Sequence, residues 1–174
     1  ANTSVVKLNI YDLSHSLSSD VRGMVKQFLP TFEGIWHTGV KVYGKEYSFG
    51  RGGLTQDPPL NMKPCRTFDL GETAIPIEIF EDFIEEQKET YKGENYDIFD
   101  KNCNTFTNEV AQFLVGKNIP SYITDLPNQV KNHPFGSMLV PMIRQFTADL
   151  DPTCPVTGNI NNLDSLGNQF LKSS

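Results

Sequence analysis

Three cysteines and three histidines hold most of the nucleophilic and proton-transfer chemistry of this 174-residue chain: Cys65, Cys103, Cys154, His15, His37 and His133. Cys103 has the most telling setting. It stands in Asn102-Cys103-Asn104-Thr105-Phe106, where a polar loop gives way to an apolar helical pattern. Phe106, Val110, Phe113 and Leu114 recur at the spacing of one helix face. Gly116 closes the pattern and Pro120 prevents its resumption. Asn102 is the N-cap, its side-chain oxygen accepting from the free N–H groups of the first turn. Cys103 then lies in that first turn, where the helix dipole and unpaired N–H groups favour a thiolate. At about 100° per residue it falls within about 20° of Val110 and Leu114, so it points along the buried stripe. A thiol so placed has the make-up of a nucleophile facing an internal cleft.

A nucleophile needs a base. Gly34-Ile35-Trp36-His37-Thr38-Gly39-Val40-Lys41-Val42-Tyr43 reads as a strand rich in β-branched and aromatic residues. Trp36, Thr38, Val40 and Val42 share one face; His37, Gly39, Lys41 and Tyr43 share the other. Of all the cysteine–histidine pairings, only Cys103 with His37 joins a helix-start thiol to a strand imidazole. His15 lies in a serine-rich turn and His133 precedes Pro134. Cys65 has Arg66 beside it but no helix start, and Cys154 has no such groups around it. Glu46, the nearest carboxylate along the hairpin, is set opposite Tyr43 by a turn at Gly44-Lys45. That leaves it roughly 20 Å of strand from His37 at ~3.3 Å per residue, and excludes it as an orienting acid. The same count puts His37 opposite Gly50-Arg51-Gly52-Gly53, a tight turn with no Lys-Ser/Thr after it to make a phosphate cradle.

The elements around this pair follow in order. Val5 to Tyr11 alternates as a strand near the sheet centre, Val21 to Leu29 is a short helix stopped by Pro30, and Glu46 to Gly50 completes a hairpin. An irregular loop from Leu54 to Pro64 leads to a short strand from Arg66 to Leu70. An amphipathic helix spans Pro76 to Tyr91, with Ile79, Phe80, Phe83, Ile84 and Tyr91 inward and a solvated glutamate face outward. A last helix is expected from Asn128 to Lys131 or from Ser137 to Phe146. The organisation is therefore α+β: a small antiparallel sheet packed with helices, one catalytic domain over residues 1–146 and a polar, flexible tail over 147–174.

Composition excludes several classes. With a net charge of −6 and a pI near 5.0, the chain is a poor match for nucleic acid. No apolar run is long enough to span a membrane. The cysteine spacings make neither a disulfide framework nor a metal site, and no cofactor is expected; a reduced, intracellular setting is expected instead.

A helix-start cysteine meeting a sheet histidine is the arrangement of papain-like thiol hydrolases, here with the histidine first in sequence, a permuted order. The segments Val-Lys-Leu-Asn-Ile-Tyr-Asp-Leu-Ser (6–14), Gly-Ile-Trp-His-Thr (34–38), Gly-Arg-Gly-Gly-Leu (50–54) and Asn-Cys-Asn-Thr-Phe (102–106) closely resemble the PPPDE family of permuted papain-fold peptidases. Its members include the desumoylating isopeptidases, and the resemblance runs from about residue 5 to 145. It implies His37 and Cys103 as a catalytic dyad with no obligatory acid, a homodimer, SUMO-type modifiers and their conjugates as partners, and a cytoplasmic and nuclear location. The backbone N–H of Cys103, with a nearby N–H or the Asn102 side chain, is expected to hold the oxyanion, and Trp36 to wall a narrow channel for the modifier's glycine pair. Two other readings use the same residues: a protein S-acyl thioesterase removing palmitate, and a modifier-binding or export adaptor with weak catalysis.

Overall fold

The computed structural model describes residues 2–16, 19–30, 34–59 and 62–148. The 147–174 tail, with Cys154, falls outside these residues except at its first two positions. The expected α+β architecture is present. Five strands, β1 (Ser4–Asp12), β2 (Trp36–Val42), β3 (Lys45–Gly50), β4 (Gly53–Thr55) and β5 (Arg66–Thr73), form one antiparallel sheet in the order β4-β3-β2-β1-β5. Among the described residues six α-helices accompany it: α1 (Ser19–Phe28), α2 (Ile77–Thr90), α3 (Cys103–Val115), α4 (Ser121–Thr124), α5 (Leu126–Lys131) and α6 (Gly136–Ala148).

α3 packs against β2, β3 and β5. Its buried stripe of Phe106, Val110, Ala111 and Leu114 joins Leu8, Ile10, Val40, Val42, Tyr47 and Phe49 from the sheet and Phe80 and Ile84 from α2 in the main core. Aromatic edges organise this core: Phe49 meets Tyr91 at 5.0 Å between ring centroids and Tyr91 meets Phe106 at 5.2 Å, both T-shaped. A second cluster of Val25, Leu29, Phe99, Val130 and Leu139 ties α1, α5 and α6 to the loop that leads into α3.

Several local expectations need correction. The β2–β3 turn is made by Tyr43 and Gly44, both at positive φ (53° and 74°), and not by Gly44-Lys45. Two central residues at positive φ match the twist of a two-residue hairpin, although tyrosine rarely accepts that conformation. Glu46 therefore pairs with Lys41, not Tyr43. Ile79, expected inward, is 52% exposed, because α2 turns only Phe80, Ile84 and, partly, Phe83 toward the core. The Arg51-Gly52 turn does join two strands, since Gly50 pairs with Gly53. Both positions considered for the last helix are helical, as α5 and α6, with His133 in the turn between them.

Candidate active site

The start of α3 is fixed by its cap. Asn102 Oδ1 accepts from the N–H groups of Asn104 (2.8 Å) and Thr105 (3.0 Å), while Thr105 Oγ1 accepts from the Asn102 N–H at 3.2 Å, a reciprocal capping box. The Asn102 amide nitrogen is spent on the Ile98 carbonyl at 2.7 Å. Both ends of this side chain are thus engaged in launching the helix. Upstream, Asp97 and Lys101 exchange two backbone hydrogen bonds (2.9 and 3.0 Å), closing the loop that delivers Asn102.

β2 meets this helix start along an open edge. Leu13 N–H donates to the Ile35 carbonyl at 2.8 Å, so odd-numbered residues here turn their backbone groups toward β1 and even-numbered ones away from it. β3 would be the neighbour on that other side, yet its ladder with β2 covers only Val40 to Val42. The carbonyl of Trp36 is taken up by α3 instead: Asn104 Nδ2 donates to it at 3.1 Å, and Cys103 Sγ lies 4.0 Å from it. Two residues on, Thr38 Oγ1 donates to Asn104 Oδ1 at 2.6 Å and stands 2.7 Å from Thr107 Oγ1. The helix therefore grips β2 on both sides of His37. Cys103 and His37 are each only 2% exposed.

Asn104 is the residue that sequence reasoning missed. Its position beside the cysteine was visible; its bonds to two strand residues needed the fold. Trp36, 8% exposed, stands edge-on to Tyr122 (5.9 Å, 82°) and lines an apolar cavity of about 50 Å³ with Leu29, Phe99, Ile123 and Val130. On the other pleat, Tyr11 lies directly across from His37 with ring centroids 5.7 Å apart. The Tyr11 hydroxyl donates to the Glu46 carboxylate (2.8 and 3.0 Å to its two oxygens), and Asn9 Nδ2 donates to the same group. Burial first, then the hydrogen bond and charge of Glu46, push the Tyr11 phenol well above its ordinary range, so it stays a neutral donor.

Cys65 is exposed, with its thiol on the Ile10 carbonyl at 3.2 Å. Nδ1 of His133 accepts from the Phe135 N–H at 3.1 Å within the α5–α6 turn. Neither is brought to the start of α3. Among the described residues no group of three histidine, cysteine or acidic side chains is placed to hold a metal ion, and no helix is long and apolar enough to cross a membrane.

The family model described as "PPPDE putative peptidase domain" matches residues 4–144. "Desumoylating isopeptidase 1" of Homo sapiens is 45% identical over 148 residues, covering 82% of this chain and 86% of that protein. Its Xenopus laevis namesake is 40% identical over 170 residues, covering 92% and 94%. A "Desumoylating isopeptidase 1 homolog" of Caenorhabditis elegans is 29% identical over 152 residues, covering 79% of this chain and 42% of that protein. A family match over nearly the whole described length, with relatives 40–45% identical across more than four-fifths of both chains, makes this chain a cysteine isopeptidase belonging to the PPPDE peptidase family.

Proposed function

We propose that the chain removes SUMO-type modifiers from substrate lysines, with Cys103 as nucleophile and His37 as its acid–base partner. The observation that carries this reading is the grip of the first turn of α3 on β2, which lodges the Cys103 thiol against the backbone carbonyl immediately preceding His37. The names of the relatives support the substrate class.

The Cys103 thiolate attacks the carbonyl carbon of the modifier's C-terminal glycine. The carbon–nitrogen bond to the lysine ε-amine breaks as imidazolium His37 passes its proton to the leaving amine, and a thioester remains. A water then gives a proton to His37 as its oxygen attacks the thioester carbonyl; the carbon–sulfur bond breaks, restoring the thiolate–imidazolium pair, and the released carboxylic acid ionises in solvent. The developing oxyanion falls to the backbone N–H of Cys103, in the first turn of α3. Asn102 acts by fixing the helix start, since its amide is committed to Ile98. Trp36 walls the approach to the thiol.

The thioesterase reading draws on the apolar cavity beside Trp36. At about 50 Å³ it is a third of the ~150 Å³ apolar cavity that takes a benzene, and far short of a fatty acyl chain. The isopeptidase reading is therefore preferred. A homodimer and a cytoplasmic and nuclear residence belong to the same proposal; sedimentation and imaging of the tagged chain test them.

The test is covalent capture by SUMO and ubiquitin carrying C-terminal thiol-reactive groups, run beside a palmitoyl-thioester turnover assay. SUMO adducts are expected with the native chain, none with Cys103→Ser, and a loss of at least about a hundredfold in capture rate with His37→Ala. Thioester turnover without any modifier adduct would move the function to deacylation. Partner binding with silence in every assay would make the chain an adaptor.

A further inference from the structure

Glu46 is a carboxylate only 4% exposed that the isopeptidase chemistry leaves without a role. Burying an acid costs stability unless its oxygens are well supplied with donors, and this one is supplied with care. Tyr11 donates to it at 2.8 Å and Asn9 adds its amide. The strand beneath it is cleared as well: a Cβ on Gly39 would come within 2.7 Å of Glu46 Oε2. Glu46 springs from opposite Lys41 but leans back over Gly39, the next residue after His37 on the same pleat. That spacing is about 7 Å, a third of the distance expected from sequence. Tyr11 closes the gap, with its hydroxyl on the carboxylate and its ring against the imidazole.

We propose that Glu46, acting through Tyr11, is the positioning acid of His37, holding the imidazole ring toward Cys103 and favouring its protonated form. This rests on the reading of His37 and Cys103 as the dyad. It replaces a bare dyad with a relay in which tyrosine stands between the acid and the histidine. The Tyr11 ring, tilted 47° to the imidazole, confines it, while the anion behind it adds a favourable potential in a poorly solvated place. Other charged groups near Glu46 sit on the solvent side: Lys7, Lys41, Lys45, Lys63 and Asp57 line the open cavity above it, and all are exposed. Tyr11 on β1 packs its ring against His37, and Cys103 at the start of α3 has its thiol 4.0 Å from the carbonyl of the preceding residue, Trp36.

The experiment compares the full native chain with Tyr11→Phe, Glu46→Gln and His37→Ala. It reads thermal unfolding, turnover of SUMO bearing a C-terminal fluorogenic amide, and the pH profile of iodoacetamide alkylation at Cys103, with Cys65 as internal reference. In Tyr11→Phe and Glu46→Gln, kcat is expected to fall about tenfold with KM within about twofold, the size of one lost charge-assisted hydrogen bond. The inflection at which the imidazolium is lost is expected to move to lower pH, because an anion that favoured the cation is gone or disconnected. A merely structural role would lower the melting temperature and leave that inflection in place. Folded variants that keep the native kcat and the native profile overturn the proposal while the dyad stands. If Glu46→Gln does not fold, Tyr11→Phe decides alone, since it removes only the hydroxyl. A native Cys103 that alkylates no faster than Cys65, and no differently in His37→Ala, brings down the dyad reading and this inference with it.

Discussion

The two pleats of β2 are built for different tasks. On the helix side, Trp36 and Thr38 give polar atoms to Asn104 and Thr107 through hydrogen bonds inside the core, and none of these four side chains carries charge. On the other side, His37 and Gly39 face Tyr11 and Glu46, a phenol donor and a buried carboxylate. One strand thus anchors the nucleophile's helix with one face and houses the acid–base group with the next residue. The consequence is a clean separation: substitutions on the helix side cost stability first, and substitutions on the open side cost turnover first.

The largest effect is expected at Asn104. Replacing it with alanine removes its bonds to Trp36 and Thr38 and leaves a buried carbonyl and a buried hydroxyl short of partners. Asn104→Ala should lose about 3 kcal/mol of unfolding free energy, read by urea denaturation, and SUMO capture should fall with it because the thiol loses its register on β2. Thr38→Val comes next. The shape is kept and the hydroxyl lost, so about 1–2 kcal/mol is expected, with capture at Cys103 within about threefold of native. Should Thr38→Val abolish capture while remaining folded, the division between the two pleats would be wrong.

Much of the helix side was readable from sequence because its signals are local. Asn102 before an apolar periodic run, and Gly116 after it, state where α3 begins and ends; the cap geometry and the left-handed Gly116 (φ 67°) agree. His37 was readable as a strand residue for the same reason. The open side was hidden by a hairpin register. Tyr43-Gly44-Lys45 admits two turn positions, and the one adopted puts a tyrosine at positive φ, against its preference. That shift moved Glu46 from an excluded carboxylate to one lying over Gly39. Asn104 was hidden differently. A polar residue beside a cysteine on a helix reads as exposed until a strand edge without a partner is known to lie against it. Ile79 failed through angle alone, since it sits about 100° from Phe80 on a helix whose inward stripe is narrow.

Gly39 gives the sharpest test of the open side. A methyl there would meet Glu46 Oε2 at 2.7 Å and its Cγ at 2.8 Å, both near the end of a side chain that can swing away. Gly39→Ala should therefore fold, because the displaced carboxylate can move toward the open cavity, and the strand gains from losing a glycine. Turnover of the fluorogenic SUMO amide should fall about fivefold to tenfold, close to the loss in Glu46→Gln, and the double variant should lose little more than either alone. Additive losses would mean that Gly39 matters for substrate approach and not for Glu46.

The smallest effect belongs to the loop that launches α3. Burial alone would raise the Asp97 carboxyl, but the backbone N–H groups of Phe99 and Asp100, with the Arg144 guanidinium, outweigh it and hold the group below its ordinary range. Phe99 N–H donates at 2.9 Å and Arg144 Nε lies 3.2 Å from the other oxygen, so the acid joins α6 to the turn before Asn102. A carboxyl depressed in the folded state contributes stability above its unfolded pKa, and that contribution drains away as pH falls through the lower, folded value. Asp97→Asn should accordingly melt below the native chain at pH 7, with the gap closing as pH falls below the unfolded carboxyl range, about 3.9. Because the side chain is 33% exposed, solvent screening limits the difference at pH 7 to about 1 kcal/mol. The position lies on the helix side of β2, so the variant's Cys103 alkylation profile should keep its native inflection. A moved inflection would mean that the loop carries charge effects into the site, and the two pleats would no longer be separable.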